Sequence, residues 1–207
     1  TESPRRLLPV NVYYHFYSGE WLATLRALQD VYDWCMEQTL CWIHAAEYAK
    51  AVEDFHRARV GRMEDGGYWV EEFGHCRTVR LADCDRQVDI PQSKAVLGFT
   101  HHNGGLYISL RAAERAEIRL CDRRPVKPCL AQSTSVLREV KAGKNTWQAE
   151  ARLYAPGELR LRGFPPGKDV AARVGDTEVE TKADPKGVVS IELPSGLGEW
   201  MEVTVAH

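Results

Sequence analysis

The stretches LRLRG (159–163) and VVSIEL (188–193) alternate apolar and polar residues with a period of two. Successive side chains of a strand point to opposite faces, so this alternation describes strands with one packed face and one wet face. Working outward, the same reading gives strands at 68–73, 76–81, 95–100, 105–110, 116–121, 136–140, 147–154, 158–163, 170–174, 177–182, 187–193 and 200–205. Turn chemistry separates them: Asn103-Gly104-Gly105, Gly143-Lys144-Asn145, Pro165-Pro166-Gly167, Asp184-Pro185-Lys186-Gly187 and Ser195-Gly196. Strands about every ten residues with Gly and Pro between them predict a β-sandwich region over 66–207. The Pro-Pro-Gly run, near 164–168, can divide it into two sheets or two subdomains.

Upstream of residue 66 the pattern changes. Residues 1–66 hold three of the 16 glycines and two of the 10 prolines. PVNVYYHFY (9–17) is rich in β-branched and aromatic residues and reads as a strand. From Glu20 to Gln38 the spacing is helical, with Leu25, Leu28, Val31 or Tyr32, and Cys35 on one face. A short buried run follows at 40–43. A second helical pattern carries Tyr48, Val52 and Phe55 at i, i+4 and i+7, fades near Val60 and ends at Asp65-Gly66-Gly67. Strand, helix, short strand, helix is a βα pattern that needs neighbouring parallel strands to bury it. The fold class expected is therefore α+β: a short βα segment over 1–65, followed by an all-β sandwich.

The formal net charge of −2 gives no field to gather nucleic acid or anionic lipid. Residues 1–66 carry 7 basic and 10 acidic side chains and residues 67–207 carry 20 and 19, so neither part has a basic face. No apolar run approaches the roughly 18 residues of a membrane span. The chain starts at Thr1, and an export signal, if used, is expected upstream.

Cysteines stand at 35, 41, 76, 84, 121 and 129, with no CxxC among them. The even count and close spacing permit local disulfides in an oxidising compartment, Cys121–Cys129 first because it flanks a Pro-containing turn. Buried free thiols are the alternative. His101-His102 before Asn103-Gly104-Gly105 reads as a hairpin tip, since adjacent strand residues point to opposite faces and cannot easily share a metal. His75 beside Cys76 meets the same objection, and no His, Cys and carboxylate set has metal-ligand spacing. The basic run Arg119, Arg123, Arg124 and Lys127 is diluted by Asp122 and reads as a solvated rim. Trp69, Tyr107, Trp147 and Trp200 can stack on the apolar faces of sugar rings. Each is also the kind of large side chain a sandwich buries. Gly-x-Ser-x-Gly, P-loop and His-Glu-x-x-His motifs are missing.

PVNVYYHFYSGEWLATLRALQDVYDWCMEQ, followed by CWIHAAEYAKAV, resembles the closing βα unit of polysaccharide deacetylases of the NodB type. Together with DGGYWVEEFGHCRTVRL, AVLGF and LYISL, it is similar to the C-terminal part of PelA-type proteins, over about residues 5–120. Proteins of that type join a glycoside hydrolase to a de-N-acetylase acting on an amino-sugar exopolysaccharide in biofilm formation. The resemblance implies that His15 is a catalytic acid at the end of the last barrel strand, with Tyr13 where the family has Leu. It also implies a zinc-like divalent metal in the parent barrel, held by an Asp-Asp pair and a His-x-x-x-His element. Neither element is in this sequence. The expected role is the C-terminal region of a periplasmic or secreted polysaccharide de-N-acetylase, with no metal or cofactor in this chain. Its expected partners are the polysaccharide and an upstream deacetylase domain. The alternative is a stand-alone carbohydrate-binding or structural β-sandwich module.

Overall fold

In a computed structural model, which describes residues 9–123 and 127–206, the chain forms two compact units, Thr1–Leu40 and Cys41–His207. It is mostly β with two α-helices, an α+β fold with β-sandwich character.

In the first unit the helical spacing is realised as α1 (Leu22–Met36). Cys35 is buried, Leu25 and Leu28 are half-buried, and Val31 and Tyr32 are exposed. The Thr24 hydroxyl reaches the carbonyls of Ser18 at 2.5 Å and Trp21 at 2.9 Å, tying the preceding 3-10 turn, Phe16–Gly19, to the helix start. The strand expected over 9–17 does not form. Residues 9–15 have no regular structure, and no strand lies in this unit among the described residues. β-Branched and aromatic residues make a strand only where a neighbour accepts their backbone N–H and C=O groups.

The second unit corrects the next two expectations. Residues 40–43 form no strand, and Cys41 and Ile43 are exposed. Helix α2 spans Ala45–Arg57 and stops short of Val60, because strand β1 (Arg59–Arg62) follows at once. The remaining strands are β2 (Tyr68–Glu71), β3 (Thr78–Ala82), β4 (Gln87–Val88), β5 (Val96–His102), β6 (Gly105–Leu110), β7 (Arg115–Ile118) and β8 (Leu120–Cys121). They continue with β9 (Cys129–Ser133), β10 (Val136–Ala142), β11 (Thr146–Leu153), β12 (Gly157–Arg162), β13 (Asp169–Val174), β14 (Thr177–Lys182), β15 (Val188–Leu193) and β16 (Glu199–Ala206). Beyond α2 the described residues hold only a 3-10 turn, Ile90–Gln92, outside the strands and loops.

A six-stranded sheet runs β15-β12-β9-β5-β6-β3, and a five-stranded sheet runs β10-β11-β16-β13-β14. Smaller sheets are β1-β2-β7 and β4-β8. One half of the six-stranded sheet packs on the five-stranded sheet around Trp147, Leu153, Leu159, Leu161, Ile191 and Val203. The other half gathers a second core around Val70, Phe73, Phe99, Leu106, Ile108 and Ile118. Pro165-Pro166-Gly167 carries the chain from one sheet to the other, between β12 and β13, but the first core runs across it without a break. The hairpin at 101–105 is as expected: Asn103 and Gly104 have φ of 46° and 73°, the left-handed pair of a two-residue hairpin turn. The six cysteines are free thiols, with Cys35 and Cys129 buried.

The two halves of the six-stranded sheet meet where β5 runs parallel to β9, at the single register pair Gly98–Leu130. A Cβ on Gly98 would stand 1.9 Å from the Leu130 carbonyl oxygen and 2.5 Å from its nitrogen, and both are backbone atoms that cannot swing away. Gly98→Ala is therefore expected to lower stability by about 2–3 kcal/mol, read as a reduced urea midpoint. Gly19→Ala, whose Cβ would meet nothing within 4 Å, should leave the midpoint unchanged.

Candidate functional site

The alternation of β11 turns Trp147, Ala149, Ala151 and Leu153 into the core, which leaves Gln148, Glu150 and Arg152 on the outer face of the five-stranded sheet. In β16, Val203 and Val205 face the core, and Trp200, Glu202 and Thr204 share that outer face. The register sets Arg152 opposite Trp200, Glu150 opposite Glu202 and Gln148 opposite Thr204. On the other side β10 sets Arg138 opposite Glu150. A bulge after Arg138, with Glu139 at φ 51°, then brings Lys141 opposite Gln148. A cleft of about 140 Å³ lies here, lined by Glu139, Lys141, Gln148, Glu150 and Glu202.

Trp200 is half-buried and flanked by two guanidinium groups, Arg138 at 4.0 Å and Arg152 at 5.2 Å from the ring centroid. Arg138 Nε donates to Glu150 Oε2 at 2.5 Å, and Gln148 Nε2 donates to Glu202 Oε1 at 2.5 Å. Arg152 pairs with Glu47 of α2 and lies over the Tyr154 ring at 5.2 Å. His44, just before α2, meets Tyr154 edge-on at 5.0 Å, and its backbone N–H donates to Glu47 at 3.1 Å. Partial burial works to raise the Glu47 carboxyl. The Arg152 guanidinium and the His44 N–H outweigh it and hold that carboxyl below its ordinary range. Its stabilising effect is thus in place above the ordinary carboxylate pKa and is lost as pH falls through the lowered value. Cys41 keeps part of its surface in solvent, yet desolvation, aided by Glu47 and partly offset by Arg152, pushes its thiol up to about 11.

A wider, open groove of about 780 Å³ lies over β13 and β14, lined by Asp169, Ala171, Glu180, Lys182 and Ala206 among others. Its lining has no aromatic ring. The Trp200 strip is the better candidate because it combines a flat apolar surface with fixed donors and acceptors.

The other residues singled out from the sequence have surroundings of their own. His15 is exposed in the first unit, at the N-cap of the 3-10 turn rather than on a strand. Its ring stacks on Tyr17 at 4.8 Å and meets Tyr13 edge-on at 5.2 Å. Trp69 is half-buried on β2, where its ring covers Gly61 and Arg115 stands 5.4 Å from its centroid. Tyr107 is half-buried on β6, near Arg80 and His102. Trp147 is wholly enclosed, with no face left for a sugar and no acceptor for its indole N–H among the described residues. Of the basic run, Arg119 pairs with Asp65 and Glu117, while Arg124 lies outside the described residues. His101 Nε2 stands 3.0 Å from the Arg86 carbonyl oxygen, and His75 pairs with Asp54 at 3.0 Å.

Arg138, Glu150 and Arg152 carry the site and were not singled out from the sequence. The period-two pattern of TWQAEARL and EWMEVTVA does put Glu150, Arg152 and Trp200 on wet faces. Glu47 had no such signal, since it lies 105 residues from Arg152.

Among the described residues no group of three or more His, Cys, Asp or Glu side chains is placed to hold a metal ion. None of the described helices is long and apolar enough to cross a membrane. The chain matches no protein-family model, no curated protein and no solved structure.

The Cys41 environment gives a measurable rate. With the thiol at about 11 instead of 9.0, its thiolate fraction at pH 8 is about 100-fold below that of an ordinary cysteine. Iodoacetamide labelling followed by peptide mass spectrometry should show Cys41 reacting slower than a free cysteine peptide, by less than that factor because a thiolate of higher pKa is the stronger nucleophile.

Proposed function

We propose that this chain is a glycan-holding module of an extracytoplasmic polysaccharide-processing protein of the deacetylase kind, and that Trp200 is its sugar platform. The observation that carries the reading is the Trp200 strip, a half-buried aromatic ring under the Arg138 guanidinium on the outer sheet face, with Glu150, Gln148 and Glu202 held by hydrogen bonds farther along the same face. Sugars are bound by this combination: an apolar ring face stacks on an aromatic side chain while the hydroxyls take hydrogen bonds from positioned polar groups. Amino sugars fit the same strip, because the carboxylates of Glu150 and Glu202 can accept from amide or ammonium N–H groups.

On this reading His15 would serve a longer protein as a proton donor to the departing nitrogen, as a histidine can near neutral pH. The metal of such an enzyme would be held by elements that this sequence does not contain. The sequence has neither an Asp-Asp pair nor a His-x-x-x-His element, and the ring contacts of His15 are Tyr13 and Tyr17. The proposal therefore rests on binding and derives no catalytic step from this chain.

Isothermal titration with hexamers of N-acetylglucosamine and with their partly de-N-acetylated forms tests it. Binding is expected, weakened about tenfold by Trp200→Ala, as the loss of one stacking contact implies, and unchanged by Trp69→Ala. No binding of either oligomer, or equal binding by the Trp200→Ala variant, would sink the proposal and leave a purely structural module.

A further inference from the structure

We infer that Arg152 is the positioning residue of the Trp200 platform and that helix α2, through Glu47, is thereby part of the site. What the platform holds rests on the glycan reading above; how it is held rests on the following geometry.

Arg152 and Trp200 are register partners on β11 and β16, and the guanidinium lies 5.2 Å from the centroids of both Trp200 and Tyr154. Its Nη2 donates to Glu47. Its Nε–H is sealed from solvent and has no acceptor among the described residues, and Glu47 is the one carboxylate paired with it there. Glu47 is fixed in turn by the His44 N–H, and the His44 ring leans on Tyr154. A continuous chain of contacts therefore leads from the start of α2 through Glu47 and Arg152 to the indole.

The two arginines that flank Trp200 are not equivalent. The Arg138 side chain is 49% exposed and can trade Glu150 for water, whereas that of Arg152 is 15% exposed. An enclosed guanidinium deprived of its one carboxylate is left uncompensated and must move toward water. Because Arg152 stands against Trp200, that movement changes the ring's surroundings and tilt. Glu150→Gln, acting on the exposed arginine, should do much less.

The test uses indole N–H resonances of the whole chain, which has six tryptophans, with Trp200 assigned from its disappearance in Trp200→Phe. Glu47→Gln is expected to shift the Trp200 resonance while leaving Trp69 and Trp147 in place. Glu47→Asp should restore it in part. Arg152→Lys should not, since an ammonium keeps the charge but loses the planar stack. Affinity for the hexamer should fall about three- to tenfold in Glu47→Gln. An unmoved Trp200 resonance in the folded variant overturns the inference, and so does a shift spread over all six indoles, which would report general loosening. If the wild-type chain binds no hexamer, the glycan reading falls while the Trp200 resonance still decides the positioning role.

Discussion

The approach of β5 to β9 at Gly98 and Leu130 governs the architecture of the second unit. The first core lies between the β15-β12-β9 half of the large sheet and the five-stranded sheet, and the second gathers on the β5-β6-β3 half. The halves are continuous only because one residue lacks a side chain at the crossing, where backbone meets backbone. A parallel pairing of one register pair contributes little ladder hydrogen bonding by itself. It sets the position of two interiors instead, and each buried Leu, Ile or Phe in them is worth roughly 1.5–3 kcal/mol. Arg162 reinforces the junction: it extends from β12 to the Phe99 carbonyl on β5 at 3.3 Å and lies over the Phe99 ring at 4.6 Å.

Helix α2 depends on a different kind of contact. It buries none of its residues, and Tyr48, Val52 and Phe55 stand exposed along one face. Polar ties hold it at both ends. Near its start Glu47 meets Arg152 on the five-stranded sheet. Near its end Asp54 takes the His75 backbone N–H at 2.7 Å and the His75 ring at 3.0 Å. With no buried apolar residue of its own, the helix is the element of the unit that a change in these few charged partners would release first. The Glu47 tie also leads to the Trp200 strip.

That strip owes its form to a conflict between two demands on one sheet. The inner face must be apolar and close-packed, which fixes Trp147, Ala149 and Ala151 in the core. The outer face is free to carry charge, and the β10 bulge opens a cleft in it beside Glu139. The same strand alternation therefore gives opposite fates to two tryptophans. Trp147 becomes interior packing, and Trp200 becomes a ring set among arginines and carboxylates.

Local periodicity determined much of this from the sequence alone. The helix over 22–36, the second helix with Tyr48, Val52 and Phe55 on one face, the hairpin at Asn103-Gly104 and most strands follow from the spacing of apolar residues and from turn chemistry. Those signals act over a few residues, so a chain carries them without its fold. The alternation in β11 and β16 even holds the distinction between Trp147 and Trp200. Tertiary structure decided the rest. PVNVYYHFY has the composition of a strand and no strand partner among the described residues of its unit, so it forms none. CLAQS has a weak pattern and becomes β9, because β5 and β12 stand ready on either side of it. Glu47 and Arg152 meet across 105 residues. A strand's ladder and an ion pair's partner are satisfied between distant segments, and which segments meet is set by the burial of whole sheets, a quantity no short stretch of sequence contains.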